Sequence, residues 1–104
     1  MDDQEIIHLY LNRSQQAIAE TKYKYGPYCK AIARNILLDH SDIEECENDT
    51  YLAAWNAIPP HIPRKFSIFL GRITRNIALD KFGYNTAKKR NQEFVQILNE
   101  LEDC

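Results

Sequence analysis

The fold is organised around the stretch Phe66–Lys81, which reads FSIFLGRITRNIALDK. Its apolar residues recur at spacings of three and four, which is the period of an α-helix. Those expected to form the buried stripe, within an arc of about 100°, are Phe66, Phe69, Leu70, Ile73 and Ile77. The stretch therefore predicts a long helix that begins near Phe66 or Ser67 and buries one side.

The other side of this helix and its flanks carry charge of almost one sign. The basic residues from position 64 to position 90 are Arg64, Lys65, Arg72, Arg75, Lys81, Lys88, Lys89 and Arg90, and the only acid there is Asp80. The excess is local, because the whole chain of 104 residues has a formal charge of -2. A surface that serves only solubility normally mixes both signs. The segment therefore predicts a polyanionic partner.

Four shorter helices are predicted upstream, over residues 3–13, 14–25, 28–38 and 41–58. The chain has only three Gly and four Pro residues, which favours helices over a turn-rich β fold. Together with the helix from residue 66, these segments predict an all-α fold, a compact bundle of four to five helices. The segment 28–38 is apolar enough to be the most buried of them.

Three local signals are expected to separate these helices. Gly26-Pro27 should break the chain between the second and third helices, because proline lacks an N–H and clashes with the preceding turn. Ser41 and Glu44 have the spacing of a capping box, which predicts the start of the fourth helix. The proline-rich run 59–63 cannot continue a helix and predicts an extended loop.

The helix predicted at 41–58 is acidic. Six acids lie from Asp39 to Asp49, and no Lys or Arg follows before Arg64. Its core face should consist of Ile43, Cys46, Thr50, Tyr51, Ala54, Trp55 and Ile58. The opposite side is either a solvated acidic face or a docking strip for a basic partner, with Leu52 as the apolar anchor. The candidate strip residues are Asp42, Glu45, Asn48, Asp49 and Leu52.

The proline-rich loop and the last helix supply candidate nucleic-acid contacts. Lys and Arg neutralise phosphates, Asn can read a base edge, and an aromatic ring can stack on a base. The candidates are His61, Arg64, Lys65, Phe66, Ser67, Arg72, Arg75, Asn76 and Lys81. Phe66 has a second interpretation, which its place in the apolar stripe favours: it belongs to the core.

Catalysis, metals and cofactors find no support in the pattern. No nucleophile elbow, phosphate loop or metal-binding motif is present, and the three His residues are isolated. Cys29 and Cys46 fall on apolar helix faces and are expected to be small core residues rather than disulfide partners. An acidic start without a long apolar run argues against a signal peptide or a membrane span, and the expected location is the cytoplasm.

Two stretches together resemble region 2 of the sigma-70 family of bacterial RNA polymerase sigma factors, in particular the small extracytoplasmic-function type. Asp42–Trp55 reads DIEECENDTYLAAW and resembles the acidic core-binding helix of that family. Phe69–Lys81 reads FLGRITRNIALDK and resembles its promoter −10 helix. The resemblance covers about residues 3–90. It departs from the family at Asn48-Asp49, where Gln-Glu is more frequent, and near Phe69, where a Trp is common.

The resemblance implies a partner for each charged surface. The acidic helix would bind the clamp helices of the polymerase's largest subunit through positions matching Glu45, Asn48 and Asp49. The loop 61–67 and the helix positions Arg72, Arg75 and Asn76 would recognise and help melt the −10 element, holding flipped bases of the non-template strand. An anti-sigma factor is a further partner that the family implies.

The resemblance also predicts a division of the chain. Residues 1–90 would be region 2, and residues 91–104 would begin the linker to a second DNA-binding domain, region 4, which nothing after Arg90 could form. Two alternatives remain open from the residues alone. One is a small helix-turn-helix repressor that acts without polymerase, and the other is a pure protein-interaction module.

Overall fold

The computed structural model describes the backbone of residues 1–102 and the side chains of residues 1–90. Within that range the chain is all α-helical, with α1 at Asp3–Leu11, α2 at Gln16–Arg34, α3 at His40–Ala57 and α4 at Phe66–Glu102. The predicted all-α fold is confirmed, with four helices. No helix of the described part is long and apolar enough to cross a membrane.

The main core lies where all four helices meet around the start of α4. Phe66 and Leu70 are almost fully buried, as the apolar stripe predicted. The ring of Tyr10 from α1 packs 5.9 Å from that of Phe66, measured between centroids. The Tyr10 hydroxyl lies 2.6 Å from the hydroxyl of buried Thr21, so the polar end of this large side chain is satisfied inside the core. This packing fixes the first turns of α4, which carry the predicted site.

Small residues let α3 and α4 cross closely in a second cluster. Cys46 and Ala78 are fully buried there. Thr50 and Thr74 are also fully buried, with their hydroxyls 3.0 Å apart. Each hydroxyl is also within hydrogen-bonding distance of the carbonyl four residues earlier in its own helix. The buried polar groups are therefore satisfied locally, and the predicted core face of α3 is confirmed at these positions.

The predicted break at Gly26-Pro27 is wrong, because α2 runs through it without interruption. A proline inside a helix costs roughly 3 kcal/mol, but Pro27 is exposed, whereas Thr21, Gly26 and Cys29 of α2 are buried. Gly26 is buried against α3, where an added Cβ would lie 3.2 Å from a carboxylate oxygen of Glu47. Packing of α2 on α3 thus outweighs the local penalty and joins the second and third predicted helices into one.

The predicted capping box at Ser41 and Glu44 is also wrong. The cap is Asp39, whose carboxylate accepts hydrogen bonds from the backbone N–H groups of Ser41 at 2.8 Å and Asp42 at 3.2 Å. A carboxylate at a helix N-terminus satisfies free N–H groups and also interacts favourably with the helix dipole. Asp39 therefore starts α3 at His40, before Ser41 could cap it.

Helix α4 is 37 residues long and passes through Gly83. It gives the described molecule an elongated shape, 66 × 24 × 21 Å. The predicted division at residue 90 remains a prediction. The side chains of the predicted linker segment, residues 91–104, lie outside the described residues.

Candidate nucleic-acid and polymerase interfaces

The loop after α3 and the first turns of α4 enclose an open groove of about 390 Å³, called the loop groove below. It is lined by His61, Pro63, Arg64, Lys65, Ile68, Phe69, Arg72, Ile73 and Asn76. Five of the nine predicted DNA-contact residues thus share one concave surface, although the loop and helix positions lie up to 15 residues apart in the chain. The groove combines cationic, aromatic and amide side chains.

Arg13, which had no predicted role, holds the base of this loop. Its Nη1 donates hydrogen bonds to the backbone carbonyls of Trp55 and Ile58, each at 2.7 Å. Its guanidinium also lies over the Trp55 ring, 3.7 Å from the centroid. The side chain therefore joins the α1–α2 turn to the end of α3, where the loop begins. No local pattern points to this contact, because 42 to 45 residues separate the partners.

The aromatic ring available in the loop groove is Phe69 rather than Phe66. Phe66 is 1% exposed and packs against Tyr10, so the proposed stacking role for Phe66 does not hold in this structure. Phe69, one turn later, is half-buried and lines the groove. Its ring centroid lies 5.3 Å from that of His61. The apolar stripe predicts burial of Phe69, but Phe69 lies at the edge of that stripe, three residues before Arg72.

The arginines of α4 are available for phosphate contacts. Arg72 and Arg75 are exposed, and neither forms a salt bridge with any side chain that the structure describes. Arg72 lines the loop groove, whereas Arg75 faces α2 in an adjoining groove. Ser67 is half-buried, and its carbonyl accepts a hydrogen bond from the Tyr28 hydroxyl at 3.2 Å. Of these residues, Ser67 is the one placed at the α2–α4 contact rather than in a groove.

Lys81 lies between the two predicted surfaces. Its Nζ is 2.7 Å from a carboxylate oxygen of Glu45 and 3.6 Å from one of Asp49, both on α3. The hydrogen bond to Glu45 raises the pKa of the Lys81 ammonium. The structure therefore pairs a predicted DNA contact with two predicted polymerase contacts, and it does not place Lys81 in the loop groove.

The acidic strip of α3 comprises Asp42, Glu45, Asn48, Asp49 and Leu52. Leu52 is 56% exposed, which is high for a large apolar side chain, and Glu45 and Asn48 are exposed beside it. One edge of the strip contacts α4, because Asp42 accepts a hydrogen bond from the Asn85 side chain at 3.0 Å. The strip thus presents an exposed apolar side chain, Leu52, together with acidic neighbours.

One acid of α3, Glu47, is buried and lies outside the acidic strip. It is 4% exposed, accepts a hydrogen bond from the Tyr51 hydroxyl, and lies 3.7 Å from the Lys30 ammonium. Burial, followed by this hydrogen bond, raises the pKa of the Tyr51 phenol. Glu47 therefore belongs to the α2–α3 packing and not to the exposed strip. Among the side chains described, no group of His, Cys, Asp or Glu could hold a metal ion.

The family model for sigma-70 region 2 matches residues 23–88, which is well over half of the chain. This chain belongs to the sigma-70 region 2 family. No curated protein and no solved structure matches the chain at a significant level.

The match to sigma-70 region 2 includes all of the acidic strip, the loop groove and the α2–α4 contact, whereas α1 and Arg13 precede it. Membership gives the chain a role in transcription initiation as a sigma factor domain. It also implies, in general terms, interaction with the RNA polymerase core and with promoter DNA.

Proposed function

We propose that the chain is region 2 of a sigma factor of the extracytoplasmic-function type. It docks on the clamp helices of the polymerase's largest subunit through the acidic strip. It holds bases of the −10 non-template strand in the loop groove and so helps to melt the promoter. It acts in the cytoplasm by binding alone, without a cofactor or a catalytic step, and an anti-sigma factor is a further partner.

The observation that carries this proposal is the composition of the loop groove. Arg64, Lys65 and Arg72 offer positive charge for phosphates, Phe69 offers a ring face, and Asn76 offers both a donor and an acceptor for a base edge. A concave pocket of this kind suits an unstacked base of a single strand. A helix-turn-helix reader of duplex DNA would have a turn of three or four residues before its recognition helix, whereas residues 58–65 separate α3 from α4 here.

The acidic strip supports the docking half of the proposal. Exposed Leu52 supplies an apolar anchor, and Glu45 and Asp49 supply the negative charge that steers a basic partner and fixes its register. The acidic strip lies on α3, whereas the loop groove is formed by the connecting loop and the first turns of α4. Polymerase and single-stranded DNA can therefore be bound together.

The DNA half is tested by core-dependent binding to a panel of −10 non-template strands varied base by base. Asn76→Ala should reduce discrimination between bases at one position by about 1–3 kcal/mol. Arg72→Ala should weaken the binding of all strands nearly evenly, because the Arg72 side chain is expected to contact phosphate. The two variants serve as controls for each other. An Asn76→Ala chain that keeps the full base preference of the wild type would contradict a reading role for the groove.

The docking half is tested with the same substitution at two neighbouring positions of α3. Glu45→Lys reverses a charge on the strip, and Glu44→Lys reverses an exposed charge off it. Polymerase binding should be lost or strongly weakened only by Glu45→Lys. Lys81→Met controls for loss of the Lys81–Glu45 bridge and should leave binding at least as strong as in the wild type. Equal effects of the two Glu→Lys variants would exclude the strip as the docking surface.

A further inference from the structure

A second groove adjoins the loop groove on the other side of α4. This α2–α4 groove has a volume of about 290 Å³ and is lined by Tyr28, Ile32, Ile68, Gly71, Arg72 and Arg75. It shares Ile68 and Arg72 with the loop groove, so these two side chains form a ridge between two adjacent concave surfaces. Nothing in the proposed function uses the α2 side of this ridge.

The groove depends on a close approach of α2 to α4. The Tyr28 hydroxyl donates a hydrogen bond to the Ser67 carbonyl at 3.2 Å. The ring can come this near because Gly71 has no side chain: an added Cβ would lie 2.5 Å from the Tyr28 hydroxyl oxygen and 3.5 Å from the end of Ile32. Tyr28 remains 40% exposed. Its ring is therefore held in place by the hydroxyl while part of its surface stays open.

The charges that line the α2–α4 groove favour an anionic ligand. Among the described residues that line the groove, Arg72 and Arg75 are the charged ones and none is acidic. Neither arginine is paired with a described side chain. An apolar concavity with an aromatic wall and two cations matches a nucleotide, with the base on the ring and its phosphate at the arginines. Continuity with the loop groove indicates which nucleotide chain can reach it.

We propose that the α2–α4 groove binds a further nucleotide of the same single DNA strand that occupies the loop groove. The strand crosses the ridge of Ile68 and Arg72, and the base beyond the ridge stacks on Tyr28. Arg75 contacts the phosphate next to it. This inference rests on the proposed function, because it needs a single strand in the loop groove.

The test combines abasic DNA with variants of Tyr28. Each nucleotide of a −10 non-template strand is replaced in turn by an abasic site, and binding is measured with the full chain and core polymerase. In the wild type and in Tyr28→Phe, one position outside those sensed by Asn76→Ala should weaken binding by about 5- to 150-fold, the range for loss of one stacked base. In Tyr28→Leu the same abasic site should have no effect, because the ring is already absent.

The outcomes separate this inference from the proposed function. If Asn76→Ala changes base preference but the abasic profile of Tyr28→Leu equals that of the wild type, the α2–α4 groove is not a nucleotide site and the proposed function stands. If the wild type binds no strand in the presence of polymerase, both proposals fail. Loss of strand binding together with a preference for an acidic peptide would likewise overturn both.

Arg75→Gln provides a second variant that leaves Tyr28 and the α2–α4 contact in place, in case Tyr28→Leu disturbs folding. A neutral methylphosphonate linkage beside the critical nucleotide should weaken the wild type and leave Arg75→Gln unaffected. Equal sensitivity of the two chains to that linkage would contradict the phosphate contact. Binding of each variant to core polymerase without DNA serves as the check that the domain is folded.

Discussion

Arg13 has a backbone conformation that is unusual for its residue type. Its φ is 55°, in the left-handed region, at the position after α1 where glycine is commonest. The N–H of Arg13 bonds to the Tyr10 carbonyl and that of Ser14 to the Leu9 carbonyl, which is the Schellman pattern. A left-handed non-glycine residue costs about 1–2 kcal/mol. The contacts of the guanidinium with the end of α3 offset that cost.

Two substitutions at Arg13 separate the cost of its left-handed backbone from the contribution of its guanidinium contacts. Arg13→Ala should lower the free energy of unfolding by about 1–3 kcal/mol, because it removes charged hydrogen bonds to two carbonyls. Arg13→Gly removes the same bonds but relieves the backbone strain, so its loss should be smaller by about 1 kcal/mol. Urea unfolding measures both. Equal stability of the Arg13→Ala and wild-type chains would show that the contact contributes nothing.

Two protonated groups, one buried and one partly buried, predict a loss of stability in alkali. Burial raises the pKa of the Cys46 thiol from 9.0 to about 11, and burial with the hydrogen bond to Asp3 raises that of Tyr25 from 10.0 to about 12. Because the folded-state pKa values are higher, the native state favours the protonated forms. Their contribution is complete below about pH 9 and declines as pH rises to 11–12.

The measurement is the free energy of unfolding in urea between pH 8 and pH 11.5. The Tyr25→Phe chain has no phenol to titrate at this position. Its free energy of unfolding should therefore fall less steeply than that of the wild type above pH 10. Parallel curves for the two chains would contradict the assignment to Tyr25.

At the scale of elements, α3 and α4 are joined by contacts that use part of the acidic strip. Lys81 reaches Glu45 and Asp49, and Asn85 reaches Asp42. A polymerase surface that binds Glu45 and Asp49 competes with Lys81 for the same oxygens. If the strip docks as proposed, this intramolecular pairing should lower its affinity for the polymerase.

Lys81→Met tests this competition. Exposed ion pairs contribute about 0–1 kcal/mol, so the variant should bind core polymerase up to about fivefold more tightly at low salt. The difference should disappear at high salt, where screening weakens the pair in the wild type. Binding is measured without DNA, because Lys81 is also a predicted DNA contact. Weaker polymerase binding by Lys81→Met would show that Lys81 itself touches the polymerase.

At the scale of the whole molecule, a formal charge of -2 conceals two surfaces of opposite sign. Under the proposed function, the acidic side chains of α3 serve the polymerase, whereas Arg72 and Arg75, which pair with no described acid, serve the DNA. This segregation means that DNA binding depends on local cations rather than on net charge. Salt dependence can therefore be assigned to individual side chains.

The salt slope of strand binding should respond to loop-groove arginines and not to a distant lysine. Arg64→Ala and Arg72→Ala should each flatten the plot of log affinity against log salt by about 0.7, the value for one phosphate contact on a single strand. Lys22→Ala removes an equal, exposed charge on α2, outside both grooves, and should leave the slope unchanged. Similar flattening by all three variants would indicate non-specific attraction to the whole surface.

Features that depend on near neighbours in the chain could be determined from the sequence by itself. The spacing of apolar residues predicted the all-α fold, the start of α4 near Phe66 or Ser67, and the core positions of Cys29 and Cys46. Charge runs separated an acidic helix from a basic one. These patterns are visible because residues three and four apart share a helix face, so burial and charge repeat locally.

Only the tertiary structure decided which side chains meet. It carried α2 through Pro27, buried Phe66 while leaving Phe69 at the loop groove, and paired Lys81 with Glu45. It also brought Arg13 to the end of α3. Each outcome depends on packing between elements distant in the chain, where burial and partner geometry outweigh local propensity. The helical period carries no information about distances between separate elements, so the two grooves could be identified only in the folded chain.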